Sequence, residues 1–368
     1  MRLLFASNVR APWGGSEWLW SDTAYLLARE GQTVGFCLPW RKDHPAVAAL
    51  RAAGAAEFAE VEPTRWPRRL WRRAFDRQSF PERCLREFRP DLLVLSQGRQ
   101  DEGLEWHAAL GRLRVPYVVL NEMVVDNLFL EDGPAEALGE FLAGARRLYF
   151  VAERNRIQAE LQLGRRFPNS RVVRNPFRVP YDAAFSWPTG PDLRLGLVAR
   201  LDPDFKGQDA LFEVLARPHW RSRPLWLHLF GSGSAERRLR RARDLLGLER
   251  VVFEGFAERI AQIWDRCHVV ASPSRQEGLP ISVVEGMLMG RPVFGTAVSG
   301  IPELVEDGVS GFLAGACTPD LLDAALERLW DRRDELPALG RAAQIRARAC
   351  IPADPARAFA EELLGARH

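Results

Sequence analysis

Val269-Val270-Ala271-Ser272-Pro273-Ser274-Arg275-Gln276-Glu277-Gly278-Leu279-Pro280-Ile281-Ser282-Val283-Val284-Glu285-Gly286-Met287 reads as a strand, a loop and a helix. Residues 269–271 form a short apolar run, as a buried strand does. Pro280 suits the start of a helix and Gly290 its end. A strand feeding a helix through a short loop is the repeating unit of a parallel α/β sheet. The loop and the helix N-terminus offer several unpaired N–H groups, which suit a phosphate. Glu277 lies in the loop and Glu285 in the helix, so one acid can meet a reacting group and the other a hydroxyl further along the same ligand.

The same unit recurs in both directions. Upstream strands are expected at 2–6, 33–38, 91–95, 117–120 and 148–152. A second series runs through 193–199, 225–230, 251–254, 269–271, 292–295 and 311–313, with helical patterns between them. Near-continuous apolar strands separated by helices predict parallel sheets covered on both faces. Prolines 176, 180 and 188 mark the boundary between the two series. The expected architecture is α/β, with two parallel-sheet domains at 1–180 and 181–350 facing a cleft, followed by a C-terminal helix within 351–368. The strand C-terminal ends are the default ligand site in such folds.

Composition narrows the function. The chain has 368 residues, 47% hydrophobic and 27% charged, which excludes a disordered, collagen-like or disulfide-scaffold protein. A net charge of +3 does not point to nucleic acid. Of the 51 basic residues only Lys42 and Lys206 are lysines, so each stands out against an arginine background. The five cysteines are scattered, without zinc or redox spacing, and read as free thiols in a reducing compartment. The N-terminus lacks a signal-peptide pattern, and no apolar run approaches the ~18 residues that span a bilayer. The expected location is cytoplasmic, with peripheral contact to the inner face of a membrane left open.

Three further elements carry chemistry. In Gly196-Leu197-Val198-Ala199-Arg200-Leu201-Asp202-Pro203-Asp204-Phe205-Lys206-Gly207, Arg200 and Lys206 can converge on two phosphates as a fork and a compact charge. A solvated surface pair is the plain alternative. Asp202 and Asp204 lack the partners of a metal site, and no metal is expected. Gly231, in Phe230-Gly231-Ser232-Gly233, permits a tight turn after a strand. Gly14 and Gly15 link the first strand to a helix, without the third glycine and ribose acid of a dinucleotide fingerprint.

The stretch from Ser272 to Met287, continuing through Gly290, Pro292, Gly300, Pro302, Glu303, Gly308 and Phe312, resembles the retaining nucleotide-sugar glycosyltransferases of the GT-B fold, glycosyltransferase family 4 ("glycosyl transferases group 1"). The resemblance is strong over 193–315. It implies two Rossmann-like domains and a C-terminal helix that crosses back to the first. It places Glu277 by the donor sugar, Glu285 on the ribose, and the backbone of Gly278, Leu279, Pro280 and Ile281 by the donor phosphates. Arg200 and Lys206 then clamp the diphosphate, with Gly14, Gly15 and Gly231 near the donor. Phe253-Glu254-Gly255-Phe256 resembles the segment lining the base.

The implied donor is a UDP- or GDP-sugar, with no separate cofactor. The implied acceptor is a glycan, a lipid-linked precursor or a small molecule. Two departures matter. Ser299-Gly300 replaces a glycine pair, and Asn121-Glu122 stands where many relatives have a histidine. Asn121 can hydrogen-bond a sugar but cannot exchange a proton. That second departure keeps a non-catalytic nucleotide-sugar-binding protein as the alternative reading. Finally, the basic and aromatic segment 65–77 reads from Arg68 as an amphipathic helix that suits an anionic membrane surface.

Overall fold

The computed structural model describes residues 1–9, 13–39, 43–60, 79–182 and 184–365. The basic segment 65–77 lies outside the described residues. The chain divides into two compact units, Met1–Pro176 with Asp354–His368, and Phe177–Ala353.

The first unit is built on a seven-stranded sheet: β1 (Arg2–Ser7), β2 (Thr33–Leu38), β3 (Ala56–Ala59), β4 (Leu92–Gln97), β5 (Tyr117–Asn121), β6 (Arg147–Phe150) and β7 (Ser170–Val172). The spatial order is β3-β2-β1-β4-β5-β6-β7, and every pairing is parallel. The central strands are apolar on both faces because helices cover both. Leu3 to Phe5 and Leu92 to Leu95 are fully buried. The sequence reading missed β3 and β7. Both are short, partly exposed edge strands, Ala-Glu-Phe-Ala and Ser-Arg-Val, without the apolar run that marks a central strand.

The C-terminal helix Pro355–Gly365 packs on this first sheet unit, as expected for a helix that crosses back. Thr23 Oγ1 donates to the Ala356 carbonyl at 3.3 Å, Phe359 meets Tyr149 edge-on at 5.0 Å, and Arg357 pairs with Glu30.

The second unit carries β8 (Leu193–Val198), β9 (Leu225–Phe230), β10 (Val251–Gly255), β11 (Val269–Ser272), β12 (Val293–Thr296) and β13 (Gly311–Ala314). Their order, β10-β9-β8-β11-β12-β13, is again all parallel. Its core gathers Leu195, Leu197, Leu227 and Leu229 with Phe212, Leu322 and Leu326 from flanking helices. In each sheet the order reverses beside the first strand, so β1 neighbours β4 and β8 neighbours β11. Doubly wound sheets take ligands at such reversal points, outside the strand C-terminal ends.

Candidate active site

The loops after β8 and β11 close on each other at the second sheet's reversal point. Pro203–Lys206 forms one helical turn, ended by Gly207 at φ +66°. A Cβ at Gly207 would lie 2.1 Å from the Pro273 carbonyl oxygen, so glycine is what lets the two loops touch. The Phe205 carbonyl then accepts from Arg275 N at 2.8 Å. The Arg275 guanidinium grips the Pro203 carbonyl and Asp209, both at 2.6 Å.

This contact brings Lys206 to Glu277. Lys206 Nζ donates to Glu277 Oε1 at 2.7 Å, and Ser274 Oγ donates to the same oxygen at 2.7 Å. Both side chains are largely sheltered, 19% exposed for Lys206 and 8% for Glu277. The Glu277 backbone N–H donates to Ser299 Oγ at 3.2 Å, and Gly300 N donates to the Gly278 carbonyl at 3.0 Å. The acid is therefore held at carboxylate and backbone by its own loop and by the segments after β8 and β12.

Glu285 lies on the helix Ile281–Leu288, which Pro280 precedes and Gly290, at φ +70°, closes. It is 4% exposed, and its Oε1 accepts from Arg178 N at 2.8 Å. Burial pushes its carboxyl up to about 7, against the opposing pull of the Arg178 amide and the Arg178 charge. The carboxyl can thus change protonation near neutral pH. Leu279 is buried, and Pro280 and Ile281 open the helix beside the Glu277 loop.

Arg200 is more open. Its side chain is 56% exposed, 3.9 Å from Asp202, while its carbonyl accepts from Gln208 at 2.8 Å. The glycine turn after β9 presses on this strand end. Gly231 has φ +136°, and a Cβ there would come within 2.0 Å of the Ala199 carbonyl oxygen. Gly231 N bonds the Gly255 carbonyl at 2.7 Å, which places the exposed Phe256 next along the chain.

The first unit sets a different group at its strand ends. Gly14 and Gly15 lead into the 3-10 turn Gly15–Glu17. Gly14 is extended at φ −149°, so its backbone does not itself demand glycine. Asn121 ends β5, is 4% exposed, and donates from Nδ2 to Gln97 Oε1 at 3.2 Å. Among the described residues its Oδ1 meets no donor. Glu122 follows, 5% exposed. Its Oε2 accepts from Asn175 Nδ2 at 2.7 Å, and burial raises its carboxyl to about 8, with Glu17 adding to the rise. Asn175 is thus tied to the β5 end.

His268 is no base. It accepts from Arg194 N through Nδ1, and burial lowers it to about 4. Among the described residues the one three-membered set of metal-type ligands is His219, Asp323 and Glu327, and neither Asp202 nor Asp204 joins it. Its carboxylates already pair with Arg217 and Arg223.

Ser274, Ser299, Arg178 and Glu122 touch the candidate residues but escaped the sequence reading as functional. Ser274 and Ser299 stood in the quoted motifs. Arg178 acts through its backbone, which no residue type announces.

The glycosyl transferases group 1 profile matches residues 192–332. Alpha-D-kanosaminyltransferase of Streptomyces kanamyceticus is 35% identical over 130 residues, 34% of this chain and 33% of that protein. D-inositol 3-phosphate glycosyltransferase of Actinosynnema mirum is 35% identical over 151 residues, 36% of this chain and 35% of that protein. The chain therefore matches only about a third of the length of these curated relatives. Anabaena HepE, solved in complex with UDP, superposes with a TM-score of 0.77 at 22% identity, over 99% of this chain and 100% of that one. That likeness establishes the fold as GT-B. The GT-B fold spans both sheets, and the unit holding Lys206, Glu277 and Glu285 is similar in sequence to the glycosyl transferases group 1.

Proposed function

We propose that the protein is a retaining glycosyltransferase of family 4, moving a hexosyl unit from a nucleoside diphosphate sugar to an acceptor hydroxyl. The observation that carries this reading is the Lys206–Glu277 pair at the β8/β11 reversal, with the buried Glu285 eight residues on. Glu285 receives the ribose hydroxyls. Lys206 and Arg200 meet the diphosphate, and the backbone of Gly278, Leu279, Pro280 and Ile281 adds donors beside the helix start. As the sugar–phosphate bond breaks, negative charge grows on the leaving diphosphate and positive charge on the sugar. Lys206 and Arg200 stabilise the first and the Glu277 carboxylate the second.

The acceptor hydroxyl attacks from the face the phosphate leaves, and a phosphate oxygen takes its proton, so no side-chain base is needed. Gly14, Gly15 and Gly231 stay in the reading as close-approach positions near the donor. Asn121 stays as a residue that hydrogen-bonds a sugar hydroxyl through Oδ1. The acceptor class is a glycan, a lipid-linked precursor or a small molecule. HepE's complex with UDP makes uridine diphosphate the first nucleoside diphosphate to test. Cytoplasmic placement, with docking on an anionic membrane through 65–77, completes the reading.

The test is a thermal-shift panel of nucleoside diphosphates and their sugars on the full chain, followed by product analysis with the best binder. Binding of a diphosphate but not its nucleoside, with an anomerically retained product, is expected. Binding without transfer to any hydroxyl acceptor turns the reading to a nucleotide-sugar-binding protein.

A further inference from the structure

Three non-glycine residues adopt the left-handed backbone among the described residues: Arg89, Arg114 and Ser299. Arg89 and Arg114 are the residues that cap the C-terminal ends of helices Phe80–Phe88 and Leu104–Leu113, where that conformation is a common way to finish. Ser299, at φ +48°, ends no helix. It sits between β12 and the turn Ile301–Leu304, and only 9% of it is exposed. A left-handed conformation is disfavoured for any residue with a Cβ, and glycine would adopt it freely. What serine adds there is its hydroxyl.

That hydroxyl accepts the backbone N–H of Glu277, 22 residues earlier, at 3.2 Å. Two neighbouring bonds run between the same loops. Gly300 N donates to the Gly278 carbonyl at 3.0 Å, and Thr296 Oγ1 donates to the Ser274 carbonyl at 2.6 Å. The loop after β12 therefore clasps the loop after β11 at 274, 277 and 278. Of the three bonds, the Ser299 bond alone acts on the residue whose carboxylate meets Lys206. A glycine at 299 would keep the Gly300 bond and release the Glu277 amide.

We infer that Ser299 is a positioning residue for Glu277, fixing its backbone so that the carboxylate stays between Lys206 and Ser274. The functional part of this inference rests on the proposed role of Glu277 in transfer. The structural part does not.

The test compares Ser299→Ala and Ser299→Gly in the full chain. Alanine keeps the backbone strain and loses the hydroxyl, while glycine loses both. Amide exchange resolved at Glu277 should quicken in both variants, on the order of tenfold, while the Gly300 amide stays protected. Ser299→Gly should melt above Ser299→Ala, because the strain is gone. Turnover should nonetheless fall by a similar factor in both, roughly three- to tenfold, as for one lost hydrogen bond. Affinity for uridine or guanosine diphosphate, whichever binds, should stay within about twofold. Unchanged exchange at Glu277 in both variants overturns the inference. So does wild-type turnover in Ser299→Gly, which would make the hydroxyl irrelevant. If the wild-type chain transfers no sugar, the transferase reading fails instead, and exchange at Glu277 still decides whether Ser299 holds it.

Discussion

Glu122 follows β5 in the first unit and Glu277 follows the end of β11 in the second, 5% and 6% exposed. Residue type, strand-end position and burial nearly coincide, yet their surroundings oppose each other. Burial pushes the Glu122 carboxyl up to about 8, with the like charge of Glu17 adding to the rise and the Asn175 amide opposing it, so it holds its proton at neutral pH. Glu277 meets the Lys206 ammonium and the Ser274 hydroxyl on one oxygen. Distant segments thus deliver different partners to two similarly buried acids: an amide to Glu122, and an ammonium and a hydroxyl to Glu277.

The sharpest way to break this contrast is Glu277→Gln. It keeps the shape and removes the charge, and turnover should fall roughly ten- to a thousandfold with little change in nucleoside diphosphate affinity. Saturation kinetics beside direct titration decide it. A variant that loses affinity alone would place Glu277 on the nucleotide.

Lys206→Ala should weaken diphosphate binding by roughly 1.5–3 kcal/mol, far more than nucleoside binding. It also strands a buried carboxylate, so the folded state should lose stability that Glu277→Gln restores in the double variant. Calorimetry with UDP against uridine, plus melting of both variants, gives the two readouts. Equal losses for diphosphate and nucleoside would mark the lysine as structural.

Glu122 predicts a pH effect of opposite origin. An unfolded carboxyl titrates near 4.5 and the folded one at about 8. Between those values the folded chain keeps a proton that the unfolded chain has released, so stability falls as pH rises, by up to roughly 1.4 kcal/mol per pH unit. Glu285 adds the same sign only up to about 7. Glu122→Gln should therefore flatten the decline between pH 7 and 8 in denaturant melts. An equally steep decline in the variant would show that Glu122 is already ionised.

The smallest effect expected is at Glu285. Ribose hydroxyls donate best to its ionised form, so diphosphate affinity should rise about threefold as pH climbs through 7. Glu285→Gln shares the phosphate's own titration and supplies the control. Parallel profiles for both proteins would remove Glu285 from the ribose.

Much of this was legible in the residues. Alternating apolar runs and helical patterns identified the parallel sheets. The motif from Ser272 to Met287 led to Glu277 and Glu285, and an arginine-biased composition made Lys206 conspicuous. The edge strands β3 and β7 escaped because half-exposed edges carry no apolar signature. Ser299 departs from a glycine pair in the sequence, but its φ of +48° and its bond to Glu277 belong to the folded loops. Nothing local to Glu122 shows that Asn175, 53 residues on, will bond its carboxyl.

The amino-acid sequence by itself determined the class of fold, the strand–loop–helix that carries both acids, and the family resemblance, because these depend on periodicity and on residues close along the chain. The tertiary structure alone decided the strand order that puts β8 beside β11, the Lys206–Glu277 pair across 71 residues, and the protonation of Glu122 and Glu285. Each of those depends on which distant segment supplies the neighbour. Burial and charge at a point in space are sums over neighbours, and the chain's order along its length does not list them.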